Sequence, residues 1–191
     1  MEYDARSALI VVDVQNDFAD PDGSLYVSGA ESIVPIINSE IIRASAENAF
    51  VVYTKDWHPE HTPHFAKDGG IWPDHCVSGT WGAEFDPRLL VAGPTVLKGS
   101  NGEDGYSGFT MRDPETGQTT STKLGALLRA RRVERVVVVG LALDYCVKAT
   151  ALDAAALGLE TSVPLDLTAP VNLAPEDGDK AVAELRRAGV G

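Results

Sequence analysis

The chain has 191 residues, of which 44% are hydrophobic and 23% are charged, a balance typical of one globular domain and not of a disordered or membrane protein. Its net charge is −12, so nucleic acids and anionic membrane surfaces are not expected as partners. No apolar run approaches the roughly 20 residues that span a bilayer, and we expect a single domain over residues 1–191, located in the cytoplasm.

The first half of the chain alternates between predicted strands and a predicted helix. An apolar run at 8–12 predicts a buried strand, and isoleucines spaced on one face predict a helix around 33–42. A second buried strand is predicted at 49–53 and a third at 95–97. The segment at 56–94, between the second and third predicted strands, contains no periodic pattern of apolar residues.

The second half continues this alternation. A helix is predicted to begin at the N-cap Asp144 and to end at Gly158. The other predicted elements, in order, are a polar loop at 99–122, a helix around 124–128, strands at 136–139 and 160–167, and a helix at 175–187. Because a parallel crossover needs a helix, this alternation predicts an α/β fold, an open and mostly parallel sheet with helices on both faces.

Four reactive residues are expected at the carboxyl edge of this sheet, where ligands of open α/β sheets bind. Asp13, Asp56 and Lys98 end the first three strands, and Cys146 follows the fourth within the first turn of a helix. An acid, a lysine and a cysteine are the parts of a nucleophilic site that cleaves amides or esters. Each has a structural alternative, as a turn residue, a solvated strand-end lysine or a buried apolar cysteine. The other cysteine, Cys76, is interpreted as structural.

The loop at 56–94 carries a pattern typical of a metal site. It contains all four histidines of the chain, His58, His61, His64 and His75, and it begins with Asp56. Residues two apart in an extended segment point the same way, so Asp56 and His58 can share one ion, with His75 closing from the far side. Mixed histidine and carboxylate ligands suit zinc, iron or manganese. The alternative is a solvated polar loop.

Four motifs, taken together in this order and spacing, carry a family resemblance. They are Val-Asp-Val-Gln-Asn-Asp-Phe at 12–18, Asp-Trp-His-Pro at 56–59, Trp-Pro-Asp-His-Cys at 72–76 and Gly-Leu-Ala-Leu-Asp-Tyr-Cys-Val at 140–147. The chain resembles the nicotinamidase branch of the isochorismatase-like cysteine hydrolases from about residue 9 to residue 168. The second and third motifs resemble the metal loop of nicotinamidases in particular.

This resemblance implies a catalytic triad of Asp13, Lys98 and Cys146. Asp13 would take the thiol proton, Lys98 would favour the thiolate, and Cys146 would attack an amide carbon. We expect the lysine to lower the pKa of the Cys146 thiol below its ordinary value of about 8.5. The resemblance further implies a cis peptide bond between Leu141 and Ala142. It also implies an oxyanion hole made by the backbone N–H groups of Ala142 and Cys146.

The resemblance also implies one divalent transition metal, with zinc favoured and iron or manganese as alternatives. Its ligands would be Asp56, His58 and His75. His64 occupies a position that supplies a further ligand in some members of the family and is not histidine in others, so its role stays open.

The reaction implied by the family is hydrolysis of nicotinamide to nicotinic acid and ammonia through a thioester, with pyrazinamide as a second substrate. A flat ring needs aromatic walls, for which Phe18, Trp72 and Tyr106 are the candidates. Tyr145 stands where some nicotinamidases carry histidine, which bears on the choice of substrate.

Other functions on the same fold stay open at this point. They are hydrolysis of another small amide or carbamoyl compound and a non-catalytic metal-binding module. A vinyl ether hydrolase of the isochorismate type would need neither the metal loop nor the cysteine. The sequence also leaves open whether copies of the chain form a homo-oligomer.

Overall fold

The computed structural model describes residues 2–191 and contains a six-stranded sheet in which every strand pair is parallel. The strands are β1 (Ser7–Val12), β2 (Phe50–Asp56), β3 (Thr95–Lys98), β4 (Thr110–Arg112), β5 (Thr119–Ser121), β6 (Arg135–Leu141), β7 (Glu160–Ser162) and β8 (Thr168–Ala169). The sheet order is β3-β2-β1-β6, with β7 and β8 both paired to β6, while β4 and β5 form a separate hairpin. The predicted parallel sheet is confirmed.

Helices cover both faces of this sheet. They are α1 (Asn16–Ala19), α2 (Ala30–Ala46), α3 (Leu124–Ala130), α4 (Lys148–Ala156) and α5 (Asp177–Arg187). Alternate residues of β1 enter different cores: Leu9 and Val11 pack with residues of α1 and α2, whereas Ile10 and Val12 pack with residues of α3, α4 and α5. This explains why the strand is apolar on both sides. None of the helices within residues 2–191 is long and apolar enough to cross a membrane.

The order of the strands in the sheet reverses at β1, which places a crevice at the carboxyl end of that strand. β2 and β3 follow on one side of β1, and β6 lies on the other. Asp13 comes directly after β1, and the turn at Leu143–Val147 follows β6. Such a switch in strand order is where open α/β sheets bind ligands.

Three predicted elements differ from the observed ones. The strand expected at 160–167 ends at Ser162, because Pro164 has no N–H to donate to a sheet ladder, and Leu165–Leu167 forms a 3₁₀ turn instead. The polar loop at 99–122 contains the hairpin of β4 and β5. A π-helical turn at Leu143–Val147 precedes α4, so the helix is not capped by Asp144.

The long segment between β2 and β3 is tied to the sheet by side chains of the first motif. The Gln15 amide donates to the carbonyls of Asp56 at 2.7 Å and Ala83 at 3.0 Å, and it accepts the N–H of Asp56 at 2.8 Å. The carboxylate of Asp17 accepts the N–H of Cys76 at 2.7 Å. These bonds hold the segment in one place although its only helical elements are two short 3₁₀ turns.

Candidate active site

Lys98, the last residue of β3, is the centre of a buried charge cluster. Its side chain is 1% exposed, and its Nζ lies 2.7 Å from Asp13 Oδ2, 2.8 Å from Asp56 Oδ1 and 3.4 Å from Cys146 Sγ. Strand pairing brings these groups together, because Asp56 and Lys98 are register partners and the N–H of Asp13 donates to the Thr54 carbonyl. Lys98 is therefore not a solvated strand-end residue.

Asp13 is held in place from a second side. The hydroxyl of Thr54 donates to Asp13 Oδ1 at 2.6 Å, and both side chains are fully buried. The φ of Asp13 is 50°, a conformation that residues with a Cβ rarely adopt and that clusters at functional sites. The carboxylate thus has a fixed position between a hydroxyl donor and the ammonium of Lys98.

The charges of the cluster set its protonation states. Burial by itself lowers the pKa of Lys98, but Asp13 and Asp56 outweigh this effect and hold that pKa well above its usual value. Burial raises the pKa of Asp13, an effect that Lys98 opposes. Lys98 is therefore an ammonium, and Asp13 is a stronger base than an exposed aspartate.

The expectation of a lowered thiol pKa is wrong for the resting protein. Burial raises the pKa of Cys146 well above its usual value; Lys98 acts to lower it, and Asp13 and Asp56 raise it further. The physical reason is that one ammonium already faces two carboxylates, so a buried thiolate would add an uncompensated charge. The resting thiol carries its proton, so any attack by this sulfur would require a base.

Three histidines converge beside this cluster. His58, His64 and His75 each bring one ring nitrogen to within 4.8 Å of the others. The Nδ1 of His64 is 3.0 Å from Asp104 Oδ1, and the Nδ1 of His75 lies 2.7 Å from the Pro73 carbonyl. With both Nδ1 atoms engaged, the Nε2 atoms remain to face a shared point. The structure therefore brings His64 into the same group as the two histidines singled out from the sequence.

Asp56 joins the lysine cluster to the histidines. One oxygen contacts Lys98, and the other is 3.8 Å from His58 Nε2 and 4.0 Å from His75 Nε2. His58 is buried, and neither of its ring nitrogens has a hydrogen-bond partner among the described residues. A buried imidazole without hydrogen-bond partners, next to a carboxylate and two further imidazoles, is what a transition metal would satisfy, so this donor set fits such an ion. His61 is exposed and pairs with Asp68 away from the group.

A cavity lies beside Cys146 and the histidines. The three aromatic residues expected to hold a flat ring, Phe18, Trp72 and Tyr106, contribute to its wall, and so does Tyr145, which was expected to bear on substrate choice. The indole of Trp72 donates to the Tyr106 hydroxyl at 3.0 Å and packs edge-on against Tyr145 at 4.9 Å between ring centroids. These contacts fix the three rings relative to one another. Asp56, His64 and His75 also line the cavity. A ligand in the cavity therefore contacts both the charge cluster around Lys98 and the group of histidines.

The turn after β6 contributes residues to the wall of this cavity. Ala142 and Cys146 both line it, and the peptide bond between Leu141 and Ala142 is cis, as the family resemblance implied. Cys146 lies in the π-helical turn, a local distortion that is frequent at functional sites. Cys76, in contrast, is fully buried and does not line the cavity.

Sequence reasoning missed two residues of the cavity wall and misinterpreted Asp144. Leu25 and Val171 belong to its apolar wall. The interpretation of Asp144 as an N-cap is wrong, since its carboxylate accepts the N–H groups of Val171 at 2.9 Å and Asn172 at 2.8 Å. Val171 follows the carboxyl end of the parallel strand β8, and this position in the sequence could have identified it as a cavity residue. Nothing in the sequence around Leu25 indicates a place in the cavity wall.

Known proteins resemble this chain over nearly its whole length. Residues 7–190 match the model of the isochorismatase domain. The chain is 42% identical over 187 residues to a nicotinamidase/pyrazinamidase of Mycobacterium tuberculosis, with 96% of each chain covered.

Two solved structures are similar over nearly the whole chain. A pyrazinamidase of Pyrococcus horikoshii, solved in complex with zinc, is 39% identical with a TM-score of 0.85 and 97% of each chain covered. The PnC1 protein of L. infantum, solved in complex with nicotinate, is 37% identical with a TM-score of 0.89, covering 100% of this chain and 93% of that one.

Proposed function

The chain belongs to the isochorismatase domain family, and we propose that it is a nicotinamidase, which hydrolyses nicotinamide to nicotinic acid and ammonia and also accepts pyrazinamide. The observation that carries the proposal is the single cluster in which Lys98 contacts Asp13, Asp56 and Cys146 at the wall of an aromatic cavity. A nucleophile, a base and a flat binding site are thereby next to one another.

Acylation of the enzyme begins with the protonated thiol. Asp13, whose pKa is raised by burial, accepts the proton of Cys146 as the sulfur attacks the carboxamide carbon. Lys98 stays an ammonium and offsets the negative charge that moves from carboxylate to sulfur. Transfer of the proton to Asp13 therefore accompanies the attack of the sulfur on the substrate.

The negative charge then passes to the carbonyl oxygen of the substrate. The backbone N–H groups of Ala142 and Cys146 are the proposed donors to this oxygen, each worth roughly 3–4 kcal/mol in comparable sites. When the carbon–nitrogen bond breaks, Asp13 returns its proton to the leaving nitrogen, and ammonia departs. The product of this half is a thioester on Cys146.

Water completes the cycle by attack on the thioester. Asp13, again a carboxylate, accepts a proton from the attacking water, and the carbon–sulfur bond breaks. The proton then goes to the departing sulfur, which restores the Cys146 thiol and releases the carboxylic acid. Both half-reactions thus use one base and one pair of backbone donors.

The proposed metal site consists of Asp56, His58, His64 and His75. The convergence of the three imidazoles, and the two unpartnered nitrogens of His58, support one divalent ion, for which zinc is proposed and iron or manganese have the same ligand preference. When bound, such an ion supplies a Lewis-acidic position for the ring nitrogen of the substrate. The aromatic walls, formed by Trp72 among others, would hold the ring in the cavity next to Cys146.

An ammonia-release assay on protein of defined metal content tests the proposed function. Nicotinamide and pyrazinamide are compared with a panel of aliphatic amides and carbamoyl compounds, and the Cys146→Ala variant is the control. We expect turnover of the two aromatic amides and none by the variant. Preference for an aliphatic or carbamoyl substrate would assign the site to another amide, and a folded, metal-loaded protein without any turnover would contradict enzymatic function. The cytoplasmic location stays a prediction from the sequence.

A further inference from the structure

Asp104 stands behind one of the three clustered histidines. It lies in the segment between β3 and the hairpin, where its backbone N–H donates to the Arg112 carbonyl at 2.6 Å. Its Oδ1 is 3.0 Å from His64 Nδ1 and also accepts the N–H of Gly105 at 2.7 Å. The carboxylate is therefore held by its own segment and directed at the imidazole.

The Nδ1 atoms of the three histidines, called their outer nitrogens below, have different surroundings. The Nδ1 of His75 faces the Pro73 carbonyl at 2.7 Å. The Nδ1 of His58 packs against Gly99, where a Cβ would come within 2.8 Å, and has no hydrogen-bond partner within residues 2–191. Among the described residues, His64 is thus the one member of the group whose outer nitrogen faces a carboxylate.

A carboxylate in this position fixes the tautomer of an imidazole. With Nδ1–H donating to the carboxylate of Asp104, the lone pair of His64 is on Nε2, the nitrogen that faces the other histidines. The negative charge also makes that nitrogen a stronger ligand. We propose that Asp104 is a positioning residue that makes His64 a ligand of the metal, an inference that rests on the proposed metal site.

The same contact links the metal site to the substrate cavity. Tyr106, two residues after Asp104, forms part of the cavity wall, and its carbonyl accepts a hydrogen bond from Lys98 at 3.3 Å. A segment fixed at Asp104 by His64 is therefore also fixed at Tyr106. The main effect of losing the Asp104 carboxylate is weaker metal binding. A smaller effect is a less firmly held aromatic wall at Tyr106.

Zinc affinity of the metal-free protein, measured by competition with a chromogenic chelator, tests the proposal without reference to turnover. We expect Asp104→Ala to weaken zinc binding 10- to 100-fold, the range for loss of such a partner. Asp104→Asn, which keeps an acceptor oxygen and loses the charge, should fall between wild type and Asp104→Ala. Glu103→Gln removes the neighbouring charge, whose contacts are to Asn101, and should change affinity less than twofold.

A double-mutant cycle separates positioning from bracing of the loop. In a His64→Ala background, Asp104→Ala should have no further effect on zinc affinity, because the carboxylate acts through that imidazole. Wild-type zinc affinity in both Asp104 variants would overturn the proposal while leaving the proposed function intact. Absence of zinc binding by the wild type, or undiminished binding by His75→Ala, would overturn the metal site itself.

Discussion

Replacement of Lys98 by methionine keeps most of the side-chain volume and removes the charge, and we expect it to slow acylation at least about 100-fold. Nζ is 3.4 Å from Cys146 Sγ, and a pair of charges at that distance is worth about 5 kcal/mol at an effective dielectric constant of about 20. The loss of this interaction energy is partly offset, because Asp13 takes up a proton once its counter-ion Lys98 is lost. That protonation also removes the proposed base.

Alkylation of Cys146 by iodoacetamide at several pH values, followed by peptide mass spectrometry, gives the direct measurement. The thiol pKa is already above its usual value in the wild type and rises further without the ammonium, so labelling at a fixed alkaline pH should slow. The kcat for nicotinamide should fall with little change in KM, since all the aromatic side chains of the cavity wall are still present. Cys76 is fully buried and lies outside the cavity, so it should stay unlabelled in folded protein and serves as the internal reference for folding.

A second buried lysine provides the matched control. Lys55 is 8% exposed, pairs with Glu84 at 2.8 Å and packs over the Phe85 ring, away from the thiol. Lys55→Met should therefore leave labelling and kcat unchanged. Circular dichroism and metal content are recorded for both variants, because Lys98 also contacts Asp56. A folded, metal-loaded Lys98→Met protein with wild-type labelling and kcat would refute the proposed role of the lysine.

Three further predictions concern the thiol, the metal and the cavity wall. Cys146→Ala should abolish ammonia release with folding intact, while Cys76→Ala retains most activity; the reverse pattern would refute the assignment. His58→Ala and His75→Ala should lose the metal by atomic absorption, and full occupancy in both would contradict the site. Asp144→Ala leaves two backbone N–H groups without their acceptor and should lower the free energy of unfolding in urea by about 2–3 kcal/mol, whereas unchanged stability would show that the contact is not stabilising.

The sequence by itself determined the sheet and the kind of chemistry at its edge. The apolar runs at 8–12 and 136–139 are short and β-branched because their strands are buried on both faces, so composition alone indicates a parallel sheet. The carboxyl ends of parallel strands share one edge, which is why Asp13, Lys98 and Cys146 could be grouped without coordinates. Histidine spacing, likewise local, identified the loop that carries the clustered imidazoles.

Only the tertiary structure decided the charge states and the partners of these residues. The pKa of Cys146 depends on how many carboxylates share Lys98 and on burial, neither of which a linear pattern contains. The partners of Asp144 and of His64 lie 27 and 40 residues away along the chain. Local periodicity reports which face of an element is buried, but these contacts depend on how loops fold back over the sheet edge, and that is fixed by packing and long-range hydrogen bonds.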